Sequence, residues 1–394
     1  LVHQGTLLLW EEAALRLGID PRLFTLLVCT TGGVLVGLLV KLFGDHSGIF
    51  AEVMQEFGKT GRFDYRNAPG IVVTAFVSLV AGGSLGPEAP LADACGGIGT
   101  LAAVRLKLGE QETRAMGYSG VSGMLAAFIT SPIGGALLGL ESAHGDTHGR
   151  QTYFWVLFPS MLASAVATVV FVILSGAYFE TLYKFPDYSP QLIDLAYALP
   201  LGLIGGIAGV LFMASLKRLQ QLFRPMQQHV VLRGVIGGLG MGIIGALLPL
   251  TLFSGEEQTS ELITHAAEIG VVMLIVLALV KLFATSLLLA TGWKGGYVFP
   301  LMFASAALGL AANVMFPAIP VAVAVAATMA GVLVAALRAP LFAVLFTMVL
   351  VQHETSPVIA VAVVASALLT ALIALRTARR AAAQPPPQPQ PTVG

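Results

Sequence analysis

The stretch Gly82-Gly-Ser-Leu-Gly-Pro-Glu-Ala-Pro90 places one carboxylate, Glu88, between two prolines in an otherwise uncharged run. From Gly70 to Gly83 every residue is apolar or small, and between Leu91 and Val104 only Asp93 is charged. If this segment lies in a membrane, an ionisable group at that depth is costly and is by default a functional one.

Composition supports the membrane premise. Charged residues make up 11% of the chain and hydrophobic ones 56%, with a mean hydropathy of +0.86. A soluble domain carries about a quarter charged and about half apolar residues. The chain therefore reads as an integral membrane protein. Its net charge of zero leaves no basic stripe to meet phosphates and argues against nucleic acid. Cys29 and Cys95 sit far apart in apolar surroundings and read as packing residues rather than a disulfide or a metal pair. Neither a metal nor a cofactor is expected. The opening residues 1–22, with Glu11, Glu12 and Arg16, form an amphipathic segment rather than a cleavable signal peptide.

A membrane-spanning helix needs about twenty apolar residues. Candidate spans are Leu23–Phe43, Gly70–Val80, Leu91–Val104, Gly117–Leu140, Phe154–Leu174, Leu195–Ala214, Gly234–Leu248, Gly270–Ala290, Leu301–Val314, Ile319–Leu337, Leu341–Val351 and Val358–Leu375. Several are too short to cross alone. Short apolar segments that follow Gly/Pro breaks predict helices that begin or end inside the membrane, where broken backbone must be buried or line a cavity. Residues 376–394, with their proline-rich run, read as a disordered tail. The clusters Lys217/Arg218/Arg224/Arg233 and Arg376/Arg379/Arg380 place those loops on the cytoplasmic side. Trp10, Trp155 and Trp293 are most simply interface anchors.

A weak internal repeat sets Pro90 against Pro300, so that Leu91 falls on Leu301, Ala94 on Ala304 and Gly99 on Gly309. Setting Pro132 against Pro340 aligns Gly123-Met-Leu-Ala-Ala127 with Gly331-Val-Leu-Val-Ala335 and Leu137 with Leu345. Gly and Ala in apolar helices can reflect close packing alone. Paired Gly-to-Pro breaks at matching places favour instead a two-repeat transporter fold with its site at the repeat interface. The expected architecture is all-α and polytopic, with repeat one over about 23–190 and repeat two over about 191–375.

Three breaks carry chemistry: Gly44-Asp-His-Ser-Gly-Ile-Phe50, Gly86-Pro-Glu-Ala-Pro90 and Gly292-Trp-Lys-Gly-Gly-Tyr-Val-Phe-Pro300. Each is a turn able to open a helix. Helix N-termini expose unpaired N–H groups and the positive end of the macrodipole, so several aimed at one point would hold an anion without a buried cation. Conduction requires such weak binding. Glu88 then acts as a tethered anion that competes for the same pocket until protonation releases it.

These residues resemble the CLC family of chloride channels and proton/chloride antiporters. His46-Ser47-Gly48-Ile49-Phe50 resembles the motif G-S-G-x-P, Gly86-Pro87-Glu88-Ala89-Pro90 resembles G-[KR]-E-G-P, and Gly296-Tyr297-Val298-Phe299-Pro300 resembles G-x-F-x-P. The Gly-Pro-Glu-x-Pro variant is also similar to a bacterial branch described as ion-transport proteins. The resemblance implies two inverted repeats of tilted and broken helices, a homodimer with one anion pathway per subunit, and a multi-pass protein of the bacterial inner membrane. It implies Glu88 as the gate and an anion held at Ser47, Gly48, Ile49, Gly86 and the Tyr297 and Val298 amides. Chloride or a similar small anion is the expected partner, with protons as a second.

The departures bear on proton coupling. The resemblance implies an internal glutamate in antiporters; alignment from Pro132 sets Ser142 on that position and Glu141 one residue early, about 100° around a helix. Glu141 and Asp93 are the candidate proton relays. No Tyr follows Tyr297, so the family's C-terminal anion-site tyrosine lacks a counterpart. Channel or uniport-like conduction is therefore expected ahead of proton-coupled antiport. From other classes, Gly117-Tyr-Ser-Gly120 resembles a rhomboid-protease serine motif, but the base such a protease needs is a histidine on a membrane helix, and His144, His148, His229, His265 and His353 all fall in or beside polar segments. His144-Gly-Asp-Thr-His148 has metal-ligand residue types, but a solvated connection accounts for it more simply. Lys294 either attracts anions to a vestibule or merely sits in a loop.

Overall fold

The computed structural model describes residues 2–13, 16, 18–45, 49–128, 131–142, 153–176 and 183–382. Short helix α1 (Val2–Leu7) continues as a π turn, Leu8–Ala13. The helices that follow are α2 (Pro21–Phe43), α3 (Phe50–Thr60), α4 (Ala68–Val80), α5 (Glu88–Arg105), α6 (Glu110–Phe128), α7 (Pro132–Ser142) and α8 (Phe158–Ser175). After them come α9 (Leu192–Phe223), α10 (Val230–Leu247), α11 (Glu256–Ile269), α12 (Val271–Ala290), α13 (Val298–Met315), α14 (Val321–Leu337), α15 (Pro340–Leu350) and α16 (Ser356–Ala382).

Among the described residues seven helical segments are long and apolar enough to cross a bilayer, and three shorter apolar ones, α4, α14 and α15, accompany them. The protein is an all-α, multi-pass membrane protein with two inverted repeats. The succession α2 to α8 recurs as α10 to α16, and the corresponding members α7 and α15 are each 11 residues long and α5 and α13 each 18.

Local chemistry sets the helix ends. The Asp20 side chain accepts from the Arg22 and Leu23 amides at 2.9 and 3.2 Å, with Pro21 opening α2, a combination that satisfies orphan N–H groups where proline has none to lose. The expected single span Gly117–Leu140 is two helices, α6 and α7, because Pro132 opens a new one. Helices α3 and α11 fall outside the hydropathy-based spans because they are amphipathic, with Glu52 and Glu56 on one and Glu256, Glu257 and Glu261 on the other. Helix α16 runs through Arg376 and Arg379 to Ala382, past the expected start of the tail at 376; residues 383–394 lie outside the described ones.

The interior is built by close backbone approach. Every residue from Ala322 to Ala336 on α14 is buried, as expected for a helix apolar all round. A Cβ on Gly33 of α2 would strike the Gly234 carbonyl of α10, and one on Gly331 of α14 the Gly202 carbonyl of α9. Where lipid removes the hydrophobic drive between helices, small residues of this kind permit the contact. Cys29 and Cys95 are both free thiols. Trp10 donates its indole N–H to the Val80 carbonyl at 2.8 Å and packs on Phe24 and Phe253, tying the N-terminal segment to α4.

Gly331→Val should cost about 1–3 kcal/mol and lower the thermal midpoint of the detergent-purified protein. Gly58→Ala, where a Cβ meets nothing within 4 Å, should leave the midpoint unchanged or raise it. Equal midpoints for the two variants would refute the packing described.

Candidate functional site

Glu88 is the first residue of α5 and only 3% exposed. Just before it, Gly86 forms an isolated antiparallel bridge with Gly296: the Gly86 amide donates to the Gly296 carbonyl at 2.9 Å, and the Gly296 amide to the Gly86 carbonyl at 2.5 Å. These bonds join the start of α5 to the start of α13, equivalent points of the two repeats. A Cβ on either glycine would overlap the Glu88 carboxylate, so the close approach requires glycine at both.

The bridge delivers the Glu88 side chain to the N-terminus of α13. Its Oε1 accepts from the Phe299 amide at 3.1 Å, and the Val298 amide and its own amide also bond to the carboxylate. Unpaired N–H groups and the helix dipole favour an anion there. Oε2 has no hydrogen-bond partner among the described residues. Of the expected amides, Val298 reaches the carboxylate directly; the second amide of α13 to do so belongs to Phe299, one residue beyond the Tyr297–Val298 pair. Tyr297 is the N-cap of α13, fully buried, with its ring 5.2 Å from that of Phe212.

Ser47 and Gly48 lie outside the described residues. Their neighbour Ile49 is the buried N-cap of α3. Asp45 binds Lys294 through Oδ1 at 2.9 Å and Arg233 through Oδ2. This links the first break to the loop before α13. These three residues line a polar cavity of about 280 Å³ together with Ile49, Glu52, Gln220, Arg224 and Trp293. Lys294 is thus buried and paired rather than a loose loop charge. Two expectations change here. Arg233 sits buried in the first turn of α10, held by Asp45, and carries no loop-orientation signal. Trp293 is no interface anchor: it is buried and donates its indole N–H to the Gly234 carbonyl at 3.0 Å.

The two candidate relays occupy different settings. Asp93 is buried on α5, five positions beyond Glu88. Glu141, at the end of α7, accepts from the Leu341 amide at 2.6 Å and the Phe342 amide at 2.8 Å, so its carboxylate caps α15. The segment His144 to His148 lies outside the described residues, and among the described ones no group of His, Cys, Asp and Glu could hold a metal. Tyr118 of the protease-like motif is buried on α6, its ring edge-on to Phe57.

A family model described as Voltage gated chloride channel matches residues 32–371. The chain belongs to the CLC family. It is 27% identical over 325 residues to the "Putative ion-transport protein YfeO" of Escherichia coli O1:K1 / APEC, covering 80% of this chain and 74% of that one. The YfeO of strain K12 / DH10B is similar at the same identity and coverage. Among solved structures, a slow cyanobacterial Cl⁻/H⁺ antiporter superposes with a TM-score of 0.79 at 22% identity, over 97% of this chain and 93% of that one. A CLC-type fluoride/proton antiporter gives 0.66 at 19%, over 88% and 95%. The CLC fold thus extends over nearly the whole chain. The protein is a multi-pass bacterial plasma-membrane protein of this family, and the family points to anion transport.

One intramembrane charge escaped the sequence reading. Lys281 of α12 is fully buried; its Nζ donates to the carbonyls of Thr251 at 3.0 Å, Leu252 at 3.1 Å and Phe253 at 2.8 Å, and lies 4.9 Å from the centre of the Phe303 ring of α13. A lone lysine within an apolar span is the signal that could have found it. Each buried carbonyl stripped of its donor costs about 1–3 kcal/mol, so Lys281→Met should sharply reduce the folded fraction in size-exclusion chromatography. A monodisperse variant with an unchanged thermal midpoint would show that the brace is dispensable.

Proposed function

We propose that this CLC-family protein conducts chloride or a similar small anion, that Glu88 is its gate, and that conduction is channel- or uniport-like. The observation that carries the reading is the Glu88 carboxylate lodged on the α13 amides, a place suited to a permeant anion. While charged, the carboxylate blocks that place; protonated, or displaced by anions, it swings away. In this reading the anion is held by Ser47, Gly48 and Ile49 from the first break, by Gly86, and by the Tyr297 and Val298 amides from the second repeat. The subunits pair as a homodimer with one pathway each.

The setting of Glu141 favours uncoupled flow. Both its oxygens are committed to the α15 amides, so the side chain is held as a helix cap rather than left free to turn toward a pathway. The second reading is proton-coupled antiport with Asp93 as the internal relay, favoured by the likeness to structures titled as Cl⁻/H⁺ and fluoride/proton antiporters. Reversal potentials in planar bilayers separate the two. For uncoupled conduction the potential tracks the chloride gradient and ignores a pH gradient; displacement by the pH gradient would establish antiport.

Gating has its own test. Wild-type chloride efflux from proteoliposomes should rise as pH falls, because protonation weakens the hold of the amides on the carboxylate. Glu88→Gln should fold normally and make efflux nearly independent of pH. A Glu88→Gln protein that keeps the wild-type pH response would remove Glu88 from the gate.

A further inference from the structure

The Tyr297 hydroxyl has no assigned role, and its surroundings call for one. The residue is 0% exposed, and its hydroxyl has no hydrogen-bond partner among the described residues. A buried polar group left unpaired costs about 1–3 kcal/mol, and buried hydroxyls are paired in the great majority of cases. Phenylalanine would fill the same space beside Phe212 without that cost. Among the described residues the hydroxyl is thus left open to an outside partner.

Its position says what the partner is. Tyr297 caps α13 between Gly296, which bridges to the first repeat, and Val298, whose amide holds Glu88. We infer that the Tyr297 hydroxyl is a ligand of the permeant species, donating its O–H to a small monovalent anion at the N-terminus of α13. This rests on the anion-transport reading and adds a side-chain donor to its backbone amides. A neutral phenol is a suitable donor, since it contributes a directed hydrogen bond without the full charge that would trap the ion.

The test is Tyr297→Phe, with chloride as the probe. Isothermal titration of the full-length protein in detergent should show chloride affinity about tenfold weaker than wild type, the loss of one hydrogen bond to a charged acceptor. Its thermal midpoint without chloride should be equal or higher, because no internal bond is lost. Unchanged affinity would overturn the inference, and so would a variant that fails to fold, since the hydroxyl would then have a structural partner. Wild-type chloride flux is measured alongside. If the wild type neither binds nor carries chloride, the anion-transport reading fails and takes this inference with it. If the wild type does both and the variant matches it, the inference alone fails.

Discussion

The antiparallel pairing of Gly86 with Gly296 is the contact on which the rest of the site depends. Two backbone hydrogen bonds fix the starts of α5 and α13 side by side, so the first side chain of one helix lands on the exposed amides of the other. Glycine is needed on both sides, because a Cβ would occupy the volume of the Glu88 carboxylate. Neighbouring side-chain bonds reinforce the join: Thr285 donates to the Ser84 carbonyl at 2.9 Å, and the Lys294 amide to the Ser78 hydroxyl at 3.1 Å. Each of these bonds crosses between the two repeats. The site is a property of their junction and of neither repeat alone.

The cations beside that junction are balanced by a carboxylate. Asp45 sits between Lys294 and Arg233 at the wall of the polar cavity. A buried cation without a partner would be strongly disfavoured, and two beside the pathway would hold an anion too well for it to leave. With Asp45 in place, the cavity keeps a polar lining while the deeper site relies on amides and their dipoles.

Much of this was legible in the chain itself. The long apolar runs became helices, Gly117–Leu140 becoming two, and Pro90 and Pro300, like Pro132 and Pro340, fall in the first turn of corresponding helices, because proline can open a membrane helix but is costly inside one. Glu88 stood out as a carboxylate in an apolar segment. What stayed hidden were contacts between residues far apart in sequence. Nothing near Asp45 announces Arg233 or Lys294, and nothing near Glu141 announces the Leu341 and Phe342 amides. Trp293 resembled an interface anchor because burial against Gly234 depends on how α10 crosses the loop before α13. Helices α3 and α11 escaped for the opposite reason, since their polar faces masked them in a scan tuned to unbroken hydropathy.

The completeness of hydrogen bonding distinguishes the structural charges from the one assigned to move. Lys281 has three N–H donors and three carbonyls to receive them. Glu141 has each oxygen on its own amide, and Asp45 has each oxygen on its own cation. Such groups lose bonds by any displacement and are held in one place. Glu88 differs: one oxygen is bonded to α13 while the other, equally buried, lacks a partner among the described residues. Under the proposed gating this difference matters, because moving the side chain can give the orphan oxygen the partner it lacks here. In that reading protonation aids release by removing the negative charge that the helix dipole attracts. A carboxylate bonded on both sides at the same spot would be a lock, whereas one bonded on a single side can serve as a gate.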